Sequence, residues 1–143
     1  MPAIAELDKL LRSMQPVLNP GSYAFATLPA GKAVDAARII SSMREPEGVS
    51  VVVELEVARQ EGLTPLFVCS WITLTVHSDL QAVGLTAAFA SALGRAGISC
   101  NVVAGACHDH IFVPEHQADE AMAALRRLQQ DSQASTPEAS ARP

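Results

Sequence analysis

The residues with the most capacity for chemistry fall in three short groups between His77 and His110. The first is His77-Ser78-Asp79, followed by Val83-Gly84-Leu85-Thr86. An alternating, β-branched run from Trp71 to His77 reads as a strand, and a small-residue helix follows from about Ala82 to Ala96. The group therefore sits where a strand hands over to a helix. Ser78 or Asp79 is placed to cap that helix by accepting its first backbone N–H groups. The same N–H groups, at the positive end of the helix dipole, suit the carboxylate of a small guest. Gly84, expected in the first turn, removes a Cβ where a ligand or another chain could approach. The plainer reading is an ordinary cap with a glycine kept for packing.

Asn101 opens an otherwise apolar strand, Val102-Val103-Ala104. Beside the first strand of a βαβ unit it would offer an amide to a bound amino or carboxyl group; the alternative is an amide satisfied by backbone or at a sheet edge. The third group is Cys107-His108-Asp109-His110. His108 and His110 share one strand face about 7 Å apart, and such a pair holds zinc or nickel only if a third ligand such as His77 or Cys107 joins it. No other Cys or His spacing closes a site, and Asp109 points to the opposite face. His108 and His110 are thus weak metal candidates, and no cofactor is expected. The other reading of the pair is a polar strand face or a subunit contact.

Little else supports catalysis. The chain has no Gly-x-Ser-x-Gly elbow and no His-Glu-x-x-His pair. Ala30-Gly31-Lys32-Ala33 is not a phosphate loop, because the upstream glycine is missing and Ala33 stands in place of Ser or Thr. The expectation is a protein that is not an enzyme.

These groups need a scaffold, and periodicity supplies one. Ile4, Leu7, Leu10, Leu11 and Met14 mark an amphipathic helix over 3–14, stopped by Pro16. A strand over 22–28, a hairpin over 37–54 turning at Glu45-Pro46-Glu47-Gly48, and a short helix over 54–61 follow. The next half is richer, with a long strand over 66–76, a helix burying Leu85, Phe89 and Leu93, strands over 99–104 and 108–113, and a helix over 115–128. The predicted fold class is α+β, with ferredoxin-like βαββαβ units in tandem sharing an antiparallel sheet. The N-terminal unit is reduced, since no full helix separates its first two strands. The expected domains are residues 1–18 as helix and linker, 19–64 as the reduced half, 65–130 as the complete unit and 131–143 as a disordered tail.

Composition narrows the function classes. The chain has 143 residues, 49% of them hydrophobic, which is ample for a packed interior. The net charge of −5 and scattered basic residues argue against a nucleic-acid surface. No apolar run approaches the roughly 18 residues of a membrane span, and no signal-peptide pattern is visible. Three cysteines without zinc spacing fit a reduced, cytoplasmic setting.

Arg44-Glu45-Pro46-Glu47-Gly48, Trp71 to Ser78, Val83 to Thr86, Asn101 to Gly105 and His108 to Val113 together resemble a family of small bacterial proteins of unassigned function that carry tandem ACT domains. The resemblance spans about residues 5–128 in order and spacing. It implies an ACT-like ferredoxin fold with two units side by side, and kinship to the ACT modules of amino-acid-regulated enzymes and to the cytosolic arginine sensor of animals. In those relatives ligands bind between units, which here picks out Ser78, Asp79, Val83, Gly84, Leu85 and Thr86, with Asn101 and Val102. The implied function is non-catalytic binding of a small molecule, an amino acid, by a regulatory homodimer. The rival readings are a ligand-free protein-interaction module and, less favoured, a metal-binding regulator.

Overall fold

Strands that alternate apolar side chains have two faces to cover, and this sheet covers them by different means. The computed structural model describes residues 6–76 and 79–134. In chain order these form α1 (Leu7–Ser13), β1 (Pro16–Leu18), β2 (Tyr23–Leu28), β3 (Ile39–Glu45), β4 (Gly48–Glu54), α2 (Leu55–Gln60), β5 (Phe67–Leu74), α3 (Leu85–Arg95), β6 (Asn101–Ala104), β7 (Asp109–Pro114) and α4 (Ala118–Ala134). One antiparallel sheet runs β3-β4-β2-β5-β7-β6, with β1 also paired to β5.

The long strand β5 belongs to two units at once. Its first residues, Phe67 to Cys69, pair with β2, and Cys69 to Leu74 pair with β7. Beyond the end of β2, the free edge at Ile72–Leu74 is taken by β1. Two sets of four strands result, β3-β4-β2-β5 and β6-β7-β5-β1, each in the strand order of a ferredoxin-like unit. The last strand of the second unit thus comes from the N-terminal end of the chain. The first unit is reduced as expected: residues 29–38 replace its helix with a loop and one 3-10 turn, Ala36–Arg38. Asp35 caps that turn by accepting from the Ala37 N–H at 3.0 Å. Lys32 and Arg38 anchor the loop to Glu61 at 2.9 and 2.8 Å, and these two cations, Lys32 foremost, hold the Glu61 carboxyl below its ordinary pKa.

Helices cover one face. Leu10 of α1, Met14 just after it, Phe89 and Leu93 of α3 and Leu125 of α4 are fully buried against Ile72, Leu74, Ile111 and Val113. Val57 and Ala58 of α2 do the same for Ala24, Ala26, Val51 and Val53 of the first unit. The apolar cluster on the other face contains strand residues only: Tyr23, Val52, Cys69 and Phe112, with Phe25, Ile40, Phe67, Trp71 and Val103 around them. Ile40 and Val103 come from opposite edges of the sheet, so the sheet curls around its own aromatic residues and buries Phe112 without a helix.

Several elements depart from the sequence reading. Residues 1–18 were expected to form a separate helix and linker, yet α1 packs into the core of the second unit and residues 16–18 are one of its strands. The helix expected from about Ala82 starts at Leu85, because Gly84 adopts φ 101°, a left-handed conformation that a helix cannot pass through. At the far end α4 continues to Ala134, so residues 131–134 are helical rather than the start of a disordered tail. Gln129, buried on α4, donates to the Arg12 carbonyl at 3.0 Å and ties this last stretch to α1. Residues 1–5, 77–78 and 135–143 lie outside the described residues.

Candidate functional site

The strand-to-helix junction is built differently from a simple capped helix. Asp79 turns the chain upon itself, its carboxylate accepting from the Gln81 N–H at 2.8 Å and its carbonyl from the Ala82 N–H at 2.9 Å. It is therefore spent two residues before Gly84 takes the N-cap position, and no side chain caps α3. Ser78, like His77, lies outside the described residues. The first intrahelical bond is from the Ala88 N–H to the Gly84 carbonyl. Among the described residues nothing accepts from the amides of Leu85, Thr86 and Ala87, which is the standing donor set of a helix start. Thr86 is exposed, Val83 is 84% exposed, and Leu85 is buried in the core. Gly84 lies against α1, since a Cβ there would come within 3.0 Å of Leu7 Cδ2.

The residue that sequence reasoning missed is Asp109. It pairs in register with Leu74, the last residue of β5, at the end of the sheet from which the chain leaves for α3. It is in phase with Ile111 and Val113, so its side chain is on the helix-covered face, and it is only 8% exposed. No hydrogen bond or ion pair reaches its carboxylate among the described residues. Burial pushes its pKa up, partly opposed by the nearby His110 and His108. No fully buried side-chain oxygen among the described residues lacks a partner, so the Asp109 oxygens keep a contact with solvent and the cost of desolvating the carboxylate is partial. Its signal in the sequence was its phase, a charged residue in the apolar register of Asp109-x-Ile111-x-Val113.

The other predicted site residues do not converge on this junction. Asn101 opposes Phe112 across the edge of the sheet, on the helix-free face, and is exposed; its amide reaches the Phe112 carbonyl at 3.5 Å. Val102 points the other way and packs into the helix-side core. His108 Nδ1 lies 3.2 Å from the Val76 carbonyl. His110 Nδ1 accepts from Trp71 Nε1 at 3.0 Å and faces Thr73 Oγ1 at 3.2 Å. The Thr73 hydroxyl oxygen already accepts from Asn19 Nδ2 at 2.9 Å, which leaves its proton for His110. With two donors on Nδ1 the imidazole carries its proton on Nε2. Burial lowers the pKa of His110, with the neighbouring His108 acting the same way. No cluster of three metal-ligating side chains occurs among the described residues. Cys69 is buried and its thiol pushed up to about 12, first by burial and then by Glu115, which disfavours the thiolate.

Two family models for the ACT domain match the chain, one over residues 2–70 and the other over 67–127. The chain is a tandem ACT-domain protein. The two matches overlap within β5, as expected if both units use that strand. A crystal structure from Vibrio cholerae, described as a protein of unknown function and possible transport protein, is 47% identical over 87% of this ACT-domain chain and 96% of its own, with a TM-score of 0.74. A protein from Agrobacterium tumefaciens matches at 21% identity over 81% of this chain and 89% of that one, with a TM-score of 0.59. The ligand-free regulatory subunit of aspartate kinase from Thermus thermophilus shares the fold at 9% identity, with a TM-score of 0.59 over 79% and 95% of the two chains. Among curated protein sequences none matches the ACT-domain chain.

Proposed function

We propose that this ACT-domain protein is a non-catalytic regulator that binds a free amino acid at the β5–α3 junction. The observation that carries the reading is Asp109. A zwitterion needs a donor array for its carboxylate and a carboxylate for its ammonium group. The amides of Leu85, Thr86 and Ala87 supply the first, at the positive end of α3. Asp109 supplies the second, at the same end of the second unit and on the same face of the sheet. Binding would pair a largely desolvated carboxylate with the ligand's ammonium group, a charge-assisted hydrogen bond that adds to the ligand's affinity. Asp79 is not available for the ammonium group, because its carboxylate holds its own turn.

Two exposed apolar residues in the junction loop, Leu80 at 67% and Val83 at 84%, and the half-exposed Val17 and Leu18 on β1 fit a surface covered by a second copy. The protein is accordingly read as a cytoplasmic homodimer whose ligand site lies at or beside the contact between copies. No helix of the described residues is long and apolar enough to cross a membrane. A ligand can shift such an assembly only by binding one form more tightly than the other. The test is thermal unfolding of the wild type and of Asp109→Asn with each common amino acid at millimolar concentration. One amino acid should raise the wild-type midpoint, and the shift should vanish in Asp109→Asn. A wild type unmoved by every amino acid rejects the reading, as does a shift that survives the substitution.

A further inference from the structure

The helix-free face carries a second constellation, made from residues that the junction does not use. Its floor is aromatic. Trp71 and Phe112 lie nearly parallel with ring centroids 6.2 Å apart, and Tyr23 meets Trp71 edge-on at 5.4 Å. Because the sheet curls, Ile40 and Ser41 from β3 and Val103 from β6 close over this floor from opposite edges. They leave a cavity of about 170 Å³ that Trp71, Phe112 and His110 complete. It adjoins a wider cleft of about 400 Å³ along the same two edges, with Ser41 and Val103 common to both.

We propose that this cavity is a binding site for a small neutral aromatic molecule bearing one hydrogen-bond acceptor. Size sets the first limit: an apolar cavity of roughly 150 Å³ accepts a benzene-sized ring. Charge sets the second, because no Asp, Glu, Lys or Arg lines the cavity. An ionised guest would lose its hydration there without gaining a counter-charge. The polar requirement follows from His110. Its Nδ1 is occupied by Trp71 and Thr73, so Nε2 carries the proton, and no protein acceptor meets that N–H among the described residues. Gly105 packs beside the ring, where a Cβ would come within 3.0 Å of the His108 carbonyl and 3.2 Å of His110 Nε2. A ring stacked on Trp71 with a carbonyl toward His110 would satisfy both features.

Trp71 is the single tryptophan of the chain, so its indole N–H gives one resonance that reports directly on the site. The probe is acetophenone, added to the full-length protein and followed by ¹⁵N-correlated NMR. A saturable displacement of the indole resonance is expected, with a Kd on the order of 1 mM for so small a ligand. Val103→Phe, which fills the cavity from β6, should weaken it about tenfold or more. Ser41→Phe does so from β3 and answers the question if the first variant does not fold. Absence of a saturable displacement in the wild type overturns the proposal, and so does unchanged binding in a folded filled variant. An indole resonance that moves with protein concentration and not with acetophenone would show the face covered by a second copy, which also overturns it.

Discussion

Replacing Asp109 with asparagine should make the protein more stable and stop it binding its ligand. Most substitutions of buried residues destabilise, but here the wild-type side chain is the liability. Asp109 is 8% exposed, and among the described residues no donor reaches its carboxylate, whose oxygens keep a contact with solvent. A polar group buried wholly without a partner costs about 1–3 kcal/mol, and the solvent contact of Asp109 leaves it a part of that cost. Asparagine keeps the shape and removes the charge but still buries an amide, so a net gain of about 1 kcal/mol is the reasonable expectation. Unfolding entropy of about 2.1 cal/mol/K per residue is about 0.3 kcal/mol/K for a chain of this length, so that gain raises Tm by about 3 °C. The pH dependence supplies a sharper criterion. Burial raises the folded-state pKa of Asp109 above its unfolded value. The folded protein therefore binds the proton more tightly, and whatever stability the protonated group brings is present below the unfolded pKa and lost as pH rises through the folded one. The advantage of Asp109→Asn should be small near pH 4, grow as pH rises through that value, and level off at neutrality. Melting curves followed by circular dichroism for both proteins across that range measure the difference directly, because every other titrating group is common to both. A variant less stable than wild type at neutral pH, or an advantage that does not change with pH, refutes the reasoning.

Gly84→Ala forces a Cβ into a backbone at φ 101° and within 3.0 Å of Leu7 Cδ2; denaturant unfolding should show a loss of about 1–2 kcal/mol from the left-handed conformation alone. Leu10→Ala opens a cavity in the core of the second unit, although residue 10 precedes the first unit in sequence. It should cost about 2–5 kcal/mol in the same assay, and a value near zero would show that α1 is not part of that core.

The second unit was legible because its elements are long and strongly patterned. The spacing of Leu85, Phe89 and Leu93 and the alternation of Trp71 to Val76 each leave one consistent answer. β1 was not legible: three residues beginning with proline carry no period, and their strand character comes from the free edge of β5 at Ile72–Leu74, some fifty residues away. The end of α4 was hidden for a similar reason. Its composition of Gln, Asp and Ser suggests a tail, and what holds it is the contact of Gln129 with the Arg12 carbonyl. At the site, local sequence indicated the helix start but not its geometry. Asp79 has the chemistry of a cap, yet a turn through Ala82 claims it first. Asp109 lies between two histidines that carry the more obvious metal chemistry, and its own signal is a charge in the apolar phase of Ile111 and Val113.

The double membership of β5 means the two ACT repeats cannot be prised apart. Cutting the chain before Phe67 would strip the first repeat of its outer strand, and cutting after Leu74 would leave the second without its founding one. The N-terminal segment closes the loop in the other direction, since the strand nearest the chain's start finishes the repeat encoded last. Neither repeat is then a transferable module. Joined through one continuous strand, the pair should melt and respond to a guest as one body.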